Sequence, residues 1–289
     1  MKVTKLAAPA CKGGESPMWD PAAWQLYYID NANWKVHAFD PATEASRTLA
    51  MPCTITTLVL RERGGAIVTL RSGIHALDLE SGELELIQPL SDPPAHMYND
   101  GKVDSRGRFL IGASTTKISA PQPDGGLFRL DPDHGLTKLD GNVHFSNSPC
   151  WSSDERIFYF SDSWVDTMFA YDYDIETGGA ANRRAFINTR ELGGLPDGAT
   201  VDADGLIWVA KYQGGKIAAY RPDGKLERVV QMPVKLVSSV AFGGADLDRL
   251  FVTTISHGIH GDPVEEGAGA LYVIDGLGAK GRAEHRYAG

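Results

Sequence analysis

Short apolar runs separated by polar turns alternate along the whole chain. LYYID, FLIGAS, IFYFSD and IWVAK each follow a turn: DPAAW, DSRGR, SSDER and DADG. Each is followed by a further run: KVHAFD, LFRLD, MFAYDYD and KIAAYR. Runs of this length bounded by Gly, Pro and Asp predict strands, and no stretch keeps a helical period beyond a couple of turns. The unit reads as a small polar cluster, a short strand, a turn, an apolar strand, a third strand and a charged fourth strand. Clear copies open at Glu15, Asn99, Asn147 and Pro196, and weaker ones at Thr56 and Ser238. Successive openings are 41 to 49 residues apart.

Four strands per unit at that spacing is the signature of a propeller. A single four-stranded sheet that is apolar on both faces buries neither alone. Packing it between two neighbours buries both, and closing the circle leaves no face unmatched. The expected fold is therefore all-β: a six-bladed β-propeller of four-stranded antiparallel blades, one domain over residues 1–289. A regular repeat is not required of two packed sandwiches, the competing all-β architecture. The N-terminal KVTKL is expected to add a strand to the last blade and fasten the ring.

Composition narrows the partners. The chain has 289 residues, a formal net charge of -9 and no basic tract, which argues against nucleic acid. No stretch approaches the ~20 apolar residues of a membrane helix, and MKVTKLAAPACKGGE carries no long apolar leader. Cys11, Cys53 and Cys150 are an odd, scattered set that forms neither a disulfide framework nor a zinc-knuckle pair. The expectation is a cytoplasmic protein with a small-molecule partner; nothing in the pattern bears on oligomeric state.

The polar residues at the repeat openings carry the chemistry. Glu15, Asn99, Asn147 and Asp197 stand just before the predicted first strands, which line the channel of a propeller. Equivalent positions then converge on the axis. All four offer oxygen ligands and two are carboxylates, a set that suits a hard divalent cation. Asn and Asp before a strand also serve as turn residues bonded to their own backbone. Glu15, between Gly14 and Ser16-Pro17, fits that role poorly. His257 and His260 are either a loop pair or ligands. Cys150 is either a buried small group or a substrate contact, and His144 is a further candidate for the pocket. No G-x-S-x-G, H-E-x-x-H, P-loop or dinucleotide fingerprint is present, which argues against serine-esterase, zincin and nucleotide chemistry.

GGESPMWD, NDGKVDSRGRFLIG, SNSPCWSSDERIFYFSDS, LPDGATVDADGLIWVAKYQGGKIAAYRPDG and SSVAFGGADLDRLFVTT run in order over almost the full chain. They resemble the senescence marker protein, gluconolactonase and regucalcin family of six-bladed propellers. The resemblance implies hydrolysis of a sugar lactone to the sugar acid by one divalent metal ion: calcium, zinc, manganese, magnesium or ferrous iron. It implies that Glu15, Asn147 and Asp197 hold the ion and that Asn99 contacts substrate or a bound water. Asp197 is the better candidate for general base, one oxygen on the ion and the other taking a proton.

Two departures bear on the substrate. Met97 stands where sugar lactonases often have an Arg, and it cannot donate hydrogen bonds. Lys211 stands where relatives are neutral or acidic, either pairing with a carboxylate or sulfonate on an acidic lactone or forming a salt bridge at the rim. The rival readings are a phosphotriesterase-like hydrolase, a non-catalytic calcium-binding propeller, and a sugar-acid epimerase or dehydratase, for which no acid/base His stands out.

Overall fold

In the computed structural model, which describes residues 1–90, 96–117, 120–258 and 265–289, the chain forms six four-stranded antiparallel sheets arranged as a six-bladed propeller. The inner strands are Gly14–Asp20, Ile55–Leu60, His96–Val103, Ser146–Trp151, Leu195–Val201 and Val237–Gly243. They open the blades where the repeat predicts. The only helical turns among the described residues are Ser163–Val165 and Arg190–Leu192.

The second strand of each blade is buried almost throughout, as in Ala66–Leu70 and Ile207–Tyr212, because a blade meets neighbours on both faces. Outer strands such as Ser46–Ala50 alternate exposed and half-buried residues. The apolar clusters accordingly lie between blades. Leu110, Leu127 and Val143 of the third blade pack on Trp151, Phe158 and Phe160 of the fourth. Trp19 of the first blade stacks on Phe251 of the last, with ring centroids 5.7 Å apart.

The ring is closed by the N-terminus. Strand Lys2–Lys5 pairs antiparallel with Tyr272–Asp275, completing the sixth blade as expected from KVTKL. A second fastening was not foreseen. After Asp275 the chain crosses one end of the channel and ties blade to blade. Ala203 N donates to Lys280 O (2.7 Å), Tyr287 N to Leu60 O (2.9 Å) and Ala288 N to Gly107 O (3.1 Å). Arg286 reaches Asp20 at 2.6 Å, and Tyr287 is fully buried.

Candidate metal site and substrate pocket

Every inner strand carries a β-bulge near its start. The pairing skips between Glu15 and Met18, Ile55 and Thr57, Tyr98 and Gly101, Asn147 and Cys150, Pro196 and Ala199, and Val237 and Ser239. A bulge re-aims side chains and sharpens the local twist. Glu15, Asn99, Asn147 and Asp197 therefore lie inside the inner strands, not before them. They also occupy two positions of the motif. Glu15 and Asn147 directly precede their bulges, whereas Asn99 and Asp197 are the first bulged residues. The difference follows the backbone: Ser16 and Ser148, the first bulged residues of the first and fourth blades, are left-handed (φ 50° and 59°) and precede proline.

Polar contacts between adjacent inner strands fix this belt. The Ser16 hydroxyl donates to Leu58 O (3.1 Å), that of Thr57 to Asn99 O, that of Ser148 to Asp197 O, and that of Ser238 to Gly14 O (2.5 Å). Ser148 N donates to Asp100 Oδ2 at 3.0 Å. Between the fifth and sixth blades the strands approach so closely that a Cβ on Gly198 would lie 2.0 Å from Ser239 Oγ.

Glu15, Met97, Asn99, Asn147 and Asp197 all line one cavity of about 330 Å³ at the mouth of the channel. Asn99 Nδ2 donates to Ser146 O (2.7 Å) and to Asn147 Oδ1 (3.1 Å). Asn147 Nδ2 donates to Ser163 Oγ (2.9 Å), whose hydroxyl donates to Pro196 O (2.5 Å). Ser163 thus orients the Asn147 amide so that its oxygen faces the other polar groups.

Burial holds the Glu15 carboxyl well above the usual carboxylate range, and the nearby Asp197 and Asp100 push it further. Burial and Asp100 do the same to Asp197. Asp100, beside Ser148 on the channel wall, is pushed up to about 6 by burial against the pull of Lys102. Three carboxyl groups thus act on one another electrostatically, and neither Glu15 nor Asp197 forms an ion pair among the described residues. That unbalanced negative field fits a divalent cation held by Glu15, Asp197 and the Asn147 oxygen.

Three expected pocket residues lie elsewhere. Cys150 lines a separate cavity of about 50 Å³ with Lys102 and Glu284, because it is three residues beyond Asn147 toward the strand's far end. His144 does not line the mouth cavity; its Nδ1 is 2.9 Å from Asp162 Oδ2. Lys211 is neither a rim residue nor a lining one. It is fully buried, its Nζ 3.4 Å from Thr189 O, and burial lowers its pKa to about 7. It pairs in register with Pro196, not Asp197. His257 does line the cavity, and His260 lies outside the described residues.

Sequence reasoning missed Asp100, Ser163 and the apolar rim of Trp34, Phe145, Trp164 and Ile255. Asp100 was visible as the second residue of NDG. Cys11, Asp30 and His37 also cluster, in the first blade. The Asp30 carboxylate there already accepts from Lys12 N, Gly13 N, Asn33 N and Asn33 Nδ2, a turn-bracing role.

Residues 13–256 match the SMP-30/gluconolactonase/LRE-like region. The chain belongs to that family. It is 34% identical to regucalcin of Oryctolagus cuniculus, over all of this chain and 99% of that protein. It is 33% identical to regucalcin of Homo sapiens, with the same coverage. Among solved structures, a luciferin-regenerating enzyme superposes with a TM-score of 0.94 at 28% identity, covering 99% of each chain. A calcium-binding protein, regucalcin, from Agrobacterium tumefaciens superposes at 0.91 with 26% identity, covering 98% of this chain and 96% of that one. Membership supports a lactonase or a calcium-binding propeller with a divalent-metal site. No helix among the described residues is long and apolar enough to cross a membrane.

Proposed function

We propose that this protein is a metal-dependent lactonase. The observation that carries the proposal is the meeting of Glu15, Asn147 and Asp197 from three blades in one buried, negatively charged pocket. When bound there, a divalent ion polarises an ester carbonyl and lowers the pKa of a water. Glu15 and Asp197 balance its charge. Asn147, tethered by Ser163, offers a neutral oxygen and leaves coordination positions for the substrate side.

Asp197 then has the second task of accepting the attacking water's proton. Its carboxylate sits on a bulge, and among the described residues Gly198 N–H and the charge of Lys211 favour its ionised form against burial and Asp100. Asn99 holds the carbonyl or water in line, its amide fixed by Ser146 O and Asn147. Ring opening completes the reaction: water's oxygen joins the acyl carbon, the ring C–O bond breaks, and the proton passes to the alkoxide to give a hydroxy acid.

An aldonolactone, giving the sugar acid, is the reference substrate. The test is turnover of a lactone panel by metal-free protein reloaded with calcium, zinc, manganese, magnesium or ferrous iron. Turnover that requires the ion supports the reading. Binding of the ion with no turnover of any lactone favours the second reading, a calcium-binding propeller without catalysis, which the calcium-binding regucalcin neighbour supports.

A further inference from the structure

The pocket's lining is mixed: Lys12, Asn31, Thr54, Thr56 and His257 stand on it with the carboxylates and amides, and so does an apolar set. Trp34, Met97, Phe145, Trp164, Leu195 and Ile255 line it, contributed by five of the six blades. A polyhydroxylated ring needs a donor or acceptor for each buried hydroxyl, and a hydroxyl against hydrocarbon costs ~1–3 kcal/mol when unmet. Thioether, indole and aliphatic surfaces supply apolar contact instead.

Two of these residues carry the argument. Trp34 and Trp164 are 45% and 39% exposed, among only six large hydrophobic side chains so exposed in the described molecule. Both stand on the same cavity. Both are also held in place by equivalent devices. In the first blade Asp30, ending the second strand, accepts from Lys12 N and Gly13 N and from the turn nitrogen of Asn33, which precedes Trp34. In the fourth blade Asp162 accepts from His144 N and Phe145 N and caps Trp164 N. The first and fourth blades of six face each other across the axis. The two indoles therefore flank the mouth from opposite sides, each carried on a turn whose backbone a buried carboxylate braces. Exposed aromatic surface maintained this way is a binding feature and not an accident of the fold.

We propose that the substrate is a lactone whose ring carries an apolar, aromatic-sized substituent, gripped between Trp34 and Trp164 while the ester group faces Asn99, Asn147 and the ion. This rests on the lactonase reading and names its substrate class. The bare sugar lactone then becomes the poorer substrate, in keeping with Met97 at the position where sugar lactonases often have Arg.

The test compares kcat/KM of the metal-loaded protein for γ-phenyl-γ-butyrolactone, γ-butyrolactone and glucono-1,5-lactone. The phenyl compound is expected to exceed each of the others by about tenfold or more, through KM. Trp34→Ala and Trp164→Ala should each lower the phenyl-to-unsubstituted ratio about fivefold or more. Trp24→Ala, which removes an exposed indole that does not line this cavity, should leave the ratio unchanged. A preference for glucono-1,5-lactone, or a ratio that Trp34→Ala and Trp164→Ala do not move, overturns the proposal. Saturable quenching of tryptophan fluorescence by the phenyl lactone separates the two failures. Quenching without turnover, lost in the Trp34→Ala/Trp164→Ala double variant, overturns the lactonase reading while the ligand class stands. Absence of both turnover and quenching overturns both.

Discussion

The two ends of the channel solve the same electrostatic problem in opposite ways. At the base, Lys102 faces Glu284 at 2.5 Å, with Thr200 and the C-terminal crossing around them. The charges are balanced within the protein and little space is left. At the mouth, Glu15 and Asp197 line a cavity several times larger within electrostatic reach of Asp100, and among the described residues neither forms an ion pair. A half-buried pair supplied by the chain closes one end; an unbalanced negative field defines the other. The contrast teaches that the same ring of strands serves as a plug or a site according to whether the counter-charge is built in.

Neutralising a carboxylate should therefore have opposite consequences at the two ends. The largest effect is on activity at the mouth. Glu15→Gln and Asp197→Asn are each expected to lower metal-dependent turnover by ~10³-fold while raising the melting temperature of the metal-free protein, since like-charge repulsion is relieved. Thermal melts with and without chelator check this alongside rate assays. At the base, Glu284→Gln should lower stability by about 2 kcal/mol in urea unfolding, because half-buried Lys102 loses its direct ion-pair partner. If both ends respond with the same sign, the contrast is wrong.

A third test sharpens the mouth further. The Asp100 pKa is raised from 3.8 to about 6 in the fold, so its contribution to stability is full below about pH 4 and is lost as pH rises through about 6. Metal-free wild type should thus fall behind Asp100→Asn as pH is raised from 4 to 7, by an amount on the order of 2 kcal/mol. Denaturant melts across that range read the difference. The smallest effect is expected from Ser163→Ala. Loss of the Asn147 tether should weaken metal affinity about tenfold in an isothermal titration, with the fold unchanged.

The architecture was legible because a propeller writes its repeat into the sequence: each blade needs the same turn, the same buried second strand and the same polar opening. The positions of Glu15, Asn99, Asn147 and Asp197 were legible for that reason. Their two-position register was not, since it depends on whether a bulge begins with a left-handed serine. Lys211 and Cys150 misled because nearness in sequence ignores strand geometry. With the bulge between them, Cys150 lies two positions of the partner strand from Asn147, ~7 Å at ~3.3 Å per residue, toward the base. Lys211 pairs with the residue before Asp197 and is buried away from the cavity lining. The flanking indoles and the C-terminal crossing were invisible because the indoles sit in turns, where no apolar period runs, and the tail is held by backbone-to-backbone bonds to several blades that no side-chain pattern announces.

The central claim is that three blades jointly hold one cation. Its most direct test is equilibrium titration of chelator-treated protein with manganese, followed by the ion's paramagnetic signal. The account predicts one tight site per chain in the wild type and its loss in Glu15→Gln, Asp197→Asn and Asn147→Ala alike. Undiminished binding at unchanged stoichiometry in all three variants would contradict it.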